Sequence, residues 1–137
     1  MKIYFAGSIF GGRDDIYIYK QIIDLLKKYG EVLTEHVGNN QYSPNCGKDV
    51  PANEYIYTQD MEWLQEADFF IAEVTTPSIG VGYEIKCAEM LNKKILCLYR
   101  NGGEKQLSFM VSGNKNIITK VYKTVEDLPE ILKEFFK

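Results

Sequence analysis

Histidine occurs once in this 137-residue chain, tryptophan once and cysteine three times, and these scarcities remove whole classes of chemistry. Around the single His36 no Ser/His/Asp set and no metal-ligand spacing can be assembled, so acyl transfer and zinc-assisted hydrolysis are poorly supported and no metal is expected. Cys46, Cys87 and Cys97 match neither a zinc site nor a disulfide framework, which fits a reducing compartment. Cys87 and Cys97 fall in a predicted helix and strand and read as small buried hydrophobes. No long apolar run exists. The longest, Ala67 to Val74, is broken by Asp68 and Glu73 and is too short for a bilayer. A hydrophobic leader with a small-residue cleavage site is also missing from MKIYFAGS, so a soluble, cytoplasmic protein with no membrane partner is expected. Basic clusters are limited to LNKK at 91 to 94, and formal charge is −3, which argues against a nucleic-acid groove.

What is present is 45% hydrophobic residues, enough for one domain over 1–137 that buries about two-thirds of its unfolded surface. Lys2 to Ala6 reads as a first strand ending at Gly7. Asp14 or Asp15 is a candidate cap for a helix with apolar positions Ile16, Tyr19, Ile22, Ile23 and Leu26, and Gly30 a candidate stop. A second strand is expected at Glu31 to Thr34 and a long loop over 37–53. Then follow a helix from Glu54 to Ala67, a strand from Asp68 to Val74, a helix from Gly82 to Asn92 and a strand from Lys94 to Tyr99. A short helix near Leu107, a strand at Ile117 to Tyr122 and a last helix complete the chain. The last helix is announced by a capping box at Thr124 and Asp127, and its inner stripe is Leu128, Ile131, Leu132 and Phe135. This alternation predicts an α/β fold: an open, mostly parallel five-stranded sheet, Rossmann- or flavodoxin-like, with helices on both faces. Ligands of such sheets sit beyond the carboxyl ends of the strands, so the loops after Ala6, Thr34 and Val74 are expected at one crevice.

Two of those loops are glycine-rich. Gly7-Ser8-Ile9-Phe10-Gly11-Gly12-Arg13 has backbone N–H groups, a hydroxyl and a guanidinium suited to an anion, yet neither G-x-G-x-x-G nor a Walker lysine is present, and a plain tight turn is the competing reading. Pro77-Ser78-Ile79-Gly80-Val81-Gly82 also runs into a helix. Two such turns at one sheet edge favour a phosphate. Between them lie two acids on sides of helices that should be buried: Asp60, aligned with Tyr57, Leu64 and Ala67, and Glu84, aligned with Ala88 and Leu91. A carboxylate there is costly to bury without a partner or a job. Glu84 is expected in the first turn of its helix, where the macrodipole favours an available anion, unless it caps that helix or pairs with Lys86. Asp60 could equally accept an N–H or a lysine. Tyr4 reads as core or catalytic, and His36 as loop or pocket wall. A carboxylate pair beside a phosphate turn fits cleavage of a glycosidic bond, with Glu84 attacking the anomeric carbon and a second group handling protons.

Taken together, YFAGSIFGGRDD (4–15), VLTEHV (32–37), QDMEWLQEAD (59–68), AEVTTPSIGVGYE (72–84), KKILCLYR (93–100) and LSFMVSG (107–113) resemble the 2'-deoxynucleoside 5'-phosphate N-hydrolase 1 family, within the nucleoside 2-deoxyribosyltransferase superfamily. The resemblance spans most of the chain. It implies hydrolysis of the N-glycosidic bond of a deoxynucleoside monophosphate to free base and 2-deoxyribose 5-phosphate, with no cofactor. It implies Glu84 as the nucleophile, Asp60 and Tyr4 as its partners, and Ser8, the loop through Arg13, Ser78 and Gly80 as phosphate and substrate contacts. Ser108 matches a serine lent to the neighbouring subunit, so a homodimer is implied. Phe10 stands where mammalian members carry arginine, and the end Glu134-Phe135-Phe136-Lys137 lacks the polar segment that the transferases bring to a neighbour's site. Water is therefore the expected acceptor. Three other readings remain: a transferase, a ribonucleotide (CMP-type) N-glycosidase, and a nucleotide-sensing module without turnover.

Overall fold

The computed structural model describes residues 1–9, 15–38, 52–102 and 106–137. Phe10, Gly11, Gly12, Arg13, Asp14, Cys46 and most of the expected loop over 37–53 lie outside the described residues. Five strands form one sheet: β1 (Lys2–Ala6), β2 (Glu31–Val32), β3 (Phe69–Glu73), β4 (Lys94–Arg100) and β5 (Ile117–Tyr122). Their order is β2-β1-β3-β4-β5 and every pairing is parallel. The helices are α1 (Ile16–Leu26), α2 (Ala52–Glu66), α3 (Ile79–Met90), the short α4 (Phe109–Ser112) and α5 (Leu128–Phe135), with 3-10 turns at Glu35–Gly38 and Val125–Asp127.

Successive strand residues point to opposite faces, and this alternation divides the core in two. On one side Ile3, Phe5, Ile71, Leu96 and Leu98 pack against Tyr19, Ile22, Ile23 and Leu26 of α1 and Leu128, Leu132 and Phe135 of α5. On the other, Tyr4, Ala6, Phe70, Ala72, Ile95 and Cys97 meet Leu64 of α2, Val81, Ile85 and Ala88 of α3, and Val111 of α4. Burial pushes the Cys97 thiol up to about 12, as expected of a small core residue, while Cys87 on α3 is only half-buried. The boundary between β1 and β3 is the switch point, since the chain leaves β1 through α1 on one face and β3 through α3 on the other.

The capping box is formed: Thr124 and Asp127 bond reciprocally, leading through a 3-10 turn into α5, whose Leu128, Leu132 and Phe135 are buried and Ile131 partly so. Several boundaries differ from expectation. β2 is two residues long, and α3 begins at Ile79, three residues before the second glycine of its turn. Asp15 precedes α1 but makes no capping bond; its carboxylate is engaged elsewhere. Gly30 does not stop α1, which ends at Leu26. A Cβ at Gly30 would lie 2.4 Å from the carbonyl oxygen of Met1, so glycine is required there by the close passage of the chain entering β1.

Gly7 obeys a similar constraint at the other end of β1. A Cβ there would come within 2.9 Å of the fully buried ring of Tyr19, whose hydroxyl accepts the Ser8 N–H at 3.1 Å. Gly7→Ala therefore overpacks the α1 face and is expected to cost about 1–3 kcal/mol of stability, measured by urea unfolding.

Candidate active site

Tyr4 is the third residue of β1 and faces α2 and α3, stacked on Phe70 of the adjacent strand with ring centroids 5.4 Å apart. That orientation follows from strand alternation alone, because Ile3 and Phe5 point to the opposite core. The Tyr4 hydroxyl is hydrogen-bonded to Glu84 of α3, and Asp60 of α2 is close enough to repel both. The structure thus brings together the three groups that the sequence singled out. Lys86 pairs instead with Glu89 at 3.2 Å, and among the described residues no lysine pairs with Asp60. The lysine partners considered for the two acids are thus taken up elsewhere or absent among the described residues. Tyr4, with 2% of its surface exposed, is at once a core residue and a member of the site.

The electrostatics correct one expectation. Ser78 caps α3, its Oγ accepting the Val81 N–H at 3.3 Å, so Glu84 sits in the second turn, beyond the reach of the helix N-terminus. Burial governs instead. It pushes Glu84 up to about 8, with the neighbouring Asp60 adding to the rise and the Tyr4 hydrogen bond opposing it. Asp60 is raised to about 6 by burial. Burial, followed by the charges of Glu84 and Asp60, holds Tyr4 far above its ordinary value. Burial thus favours the protonated form of both acids, and of Glu84 more strongly than of Asp60.

The remaining candidates divide. His36, in the 3-10 turn after β2, is half-buried against Trp63, ring centroids 5.6 Å apart, which makes it a wall contact of α2. Trp63 escaped the sequence reading, although its position one turn beyond Asp60 on the same helix was the available signal. Ser8 is fully buried, and its N–H is committed to Tyr19 rather than open to an anion; Ile9 is partly buried against the α1 face. Gly80 is exposed in the first turn of α3, where a Cβ would meet the Ser78 Oγ at 3.9 Å, an ordinary contact. Ser108 caps α4, its Oγ accepting the Met110 N–H at 3.2 Å, and is exposed. It lines a groove of about 700 Å³ with Ser78, Ile79, Leu107 and Met110, and Tyr4, Asp60 and Glu84 are not among the lining residues. Within one chain, Ser108 is not brought to the acid pair. Among the described residues no group of three or more His, Cys, Asp or Glu could hold a metal, and no helix is long and apolar enough to cross a membrane.

Comparison with known proteins places this geometry. The model of the nucleoside 2-deoxyribosyltransferase family matches residues 3–121, a span that includes β1, both helices bearing the acids and all five strands. The chain belongs to the nucleoside 2-deoxyribosyltransferase family. Among curated proteins it is 49% identical over 138 residues to the putative 2'-deoxynucleoside 5'-phosphate N-hydrolase 1 of Nematostella vectensis, covering 98% of this chain and 93% of that one. It is likewise 49% identical over 142 residues to the 5-hydroxymethyl-dUMP N-hydrolase of Esox lucius, covering 100% and 97%. Among solved structures, the Clostridium botulinum CMP N-glycosidase superposes with a TM-score of 0.66 at 20% identity, over 97% of this chain and 99% of that one, a likeness of fold.

The raised acids fix the sign of a pH effect. Each has a folded-state value above its unfolded one, so its contribution to stability is fully present below about pH 4 and is lost as pH rises through 6 for Asp60 and 8 for Glu84. Glu84→Gln, which cannot ionise, is expected to raise the melting temperature relative to the wild-type chain at pH 9 and to change it little at pH 5. Scanning calorimetry at the two pH values reads the difference.

Proposed function

We propose that the chain hydrolyses the N-glycosidic bond of 2'-deoxynucleoside 5'-monophosphates, releasing the free base and 2-deoxyribose 5-phosphate. The observation that carries this reading is the desolvated Glu84 carboxyl, hydrogen-bonded to Tyr4 and flanked by Asp60. N-hydrolases similar over the full length support it. A carboxyl held near a neutral pKa can serve as proton donor or, once ionised, as a nucleophile in a site where charge is poorly screened.

In the proposed sequence an ionised Glu84 oxygen attacks C1' of the sugar as the C1'–N bond breaks; the bonding pair leaves with the base, which takes the proton carried by Asp60. Positive charge on the sugar ring is greatest between these events, where the carboxylates stabilise it. Water then attacks C1', its proton passes to Asp60, and the C1'–O bond to Glu84 breaks, restoring the carboxylate. Tyr4 orients Glu84 through its hydroxyl. Ser78 and Gly80 at the start of α3, with Gly7, the Ser8 hydroxyl and the loop through Arg13, take the 5'-phosphate. His36 contributes to the wall of the pocket.

A second copy of the chain completes this reading. Ile79, Tyr83 and Met90 are spaced along one side of α3 and, with Phe109 and Met110 of α4, leave large apolar surfaces open, Ile79 at 96% and Met110 at 84%. Contiguous apolar patches of this kind mark interfaces. Ser108 stands at the edge of this one, where a homodimer interface can carry it to the neighbour's substrate.

Glu84→Ala is expected to abolish base release, followed by chromatography over deoxynucleoside monophosphates, ribonucleoside monophosphates and unphosphorylated deoxynucleosides, with and without an acceptor base. Nucleotide binding should survive by calorimetry. Undiminished release in the variant contradicts Glu84 as nucleophile, and new nucleosides formed only with acceptor base indicate a transferase. Mixing Ser108→Ala chains with Glu84→Ala chains should restore part of the activity, since one site in the mixed dimer then has both groups intact. Met110→Asp should leave a folded monomer by light scattering, with base release much reduced.

A further inference from the structure

A hydrogen-bonded ring lies across the sheet edge on the side away from Tyr4. Glu73 ends β3, fully buried, and its Oε1 accepts both the N–H of Thr75, at 2.9 Å, and the Thr75 hydroxyl. The Thr75 Oγ1 in turn accepts the N–H of Arg100, the last residue of β4, at 2.8 Å. The Arg100 guanidinium donates through Nη2 to Asp15 at 2.7 Å, and the other Asp15 oxygen accepts the Thr76 hydroxyl at 3.1 Å. Thr75 and Thr76 are covalent neighbours, so the circuit closes. Asp15, Thr75 and Thr76 are all buried, and Arg100 is only partly exposed. Burial pushes Glu73 up to about 7 against the pull of the two Thr75 bonds.

Its position matters more than its strength. Asp15 is the residue before α1, and the first turn of that helix also holds Tyr19, which takes the Ser8 N–H. Thr76 lies two residues before Ser78, the cap of α3. The ring therefore ties the start of α1, on one face of the sheet, to the start of α3, on the other, across the switch point between β1 and β3. It reaches Ser78 and Gly80 through Thr76, and Gly7 and Ser8 through the first turn of α1.

We propose that Asp15, Glu73, Thr75, Thr76 and Arg100 form a positioning brace that sets Ser78 and Gly80, at the start of α3, against Gly7 and Ser8, at the end of β1, and so determines preference for phosphorylated substrates. This inference rests on the deoxynucleoside monophosphate reading above. None of the five touches the reacting atoms. The brace meets α3 ahead of Ser78, while Tyr4, Asp60 and Glu84 lie on the opposite face of the sheet, with Glu84 in the second turn of α3 and held by its bond to Tyr4.

The test is steady-state kinetics of the full chain on a deoxynucleoside monophosphate and on the matching unphosphorylated deoxynucleoside. Thr76→Val removes one bond of the ring without leaving a charge unpaired, and is expected to raise KM for the monophosphate about three- to ten-fold, with kcat within about two-fold, as for one lost hydrogen bond. The kcat/KM for the unphosphorylated substrate should stay within the same two-fold. Arg100→Met should give the larger loss of preference. If it fails to fold because Asp15 is left as a buried unpaired charge, Thr76→Val alone decides. Glu73→Gln keeps an oxygen for Thr75 and should behave as the wild-type chain. An unchanged ratio between the two substrates in Thr76→Val, or an equal loss on both, overturns the brace. Absence of base release from the wild-type chain on any monophosphate overturns instead the reading on which it rests, and the brace with it.

Discussion

Desolvation of the Glu84 carboxyl is the constraint around which the site is arranged. Removing a carboxylate from water costs several kcal/mol unless it is protonated or partnered, and here protonation near neutral pH and the Tyr4 hydroxyl share that cost. Neither remedy works unless three elements are held in place. Tyr4 must face α2 and α3, which follows from the pleat of β1; α3 must start early enough to carry Glu84 inward beside Ile85 and Ala88; and α2 must set Asp60 against it. Leu64 on α2 and Ala67 just past its end, both buried, fix the helix against the sheet and with it the position of Asp60. The acids are thus a local loss of stability carried by the surrounding core, a common relation between function and fold.

The two faces of the sheet have separate duties. The α2, α3 and α4 side holds Tyr4, Asp60 and Glu84 and the exposed apolar side chains of α3 and α4. The α1 and α5 side is closed, with Tyr19, Tyr122 and Phe5 among its fully buried rings, and its polar residues are gathered at the strand ends around Asp15 and Arg100. A parallel sheet makes this division natural, because all strands deliver their carboxyl ends to one edge and crossovers to either face can then be specialised independently.

Much of the arrangement was legible in the sequence because its signals were periodic. The 3.6-residue spacing of Ile16, Tyr19, Ile22, Ile23 and Leu26, the five apolar strand segments and the Thr124 to Asp127 box all correspond to elements observed. Asp60 and Glu84 stood out as polar residues at apolar positions, and they do meet. What periodicity could not convey was contact between distant elements. The hydrogen bonds of Asp15 to Arg100, 85 positions away, have no local signature, so Asp15 read as a cap. The start of α3 was misjudged because Gly80 and Gly82 look like turn residues, whereas Ser78 and its bond to Val81 open the helix ahead of them. That shift of a turn changed the electrostatic reading of Glu84 from a dipole-favoured anion to a burial-raised acid. Trp63 and the Tyr57–Tyr83 pair, ring centroids 6.4 Å apart beside the acids, were passed over because aromatic residues on helices read as ordinary packing.

The pairing of β1 with β3 has a kinetic side. Ile3 aligns with Phe69 and Ala6 with Ala72, and the only sheet partner of β1 closer in the chain is the two-residue β2. A contact of such sequence separation forms late, because loop closure must be met before the strands reward it. Tyr4 on β1 and its hydrogen-bond partner on α3 stand 80 positions apart, counting from 4 to 84. Their meeting therefore waits on the folding of α3 against β1, and a segment holding only β1, α1 and β2 lacks both Asp60 and Glu84.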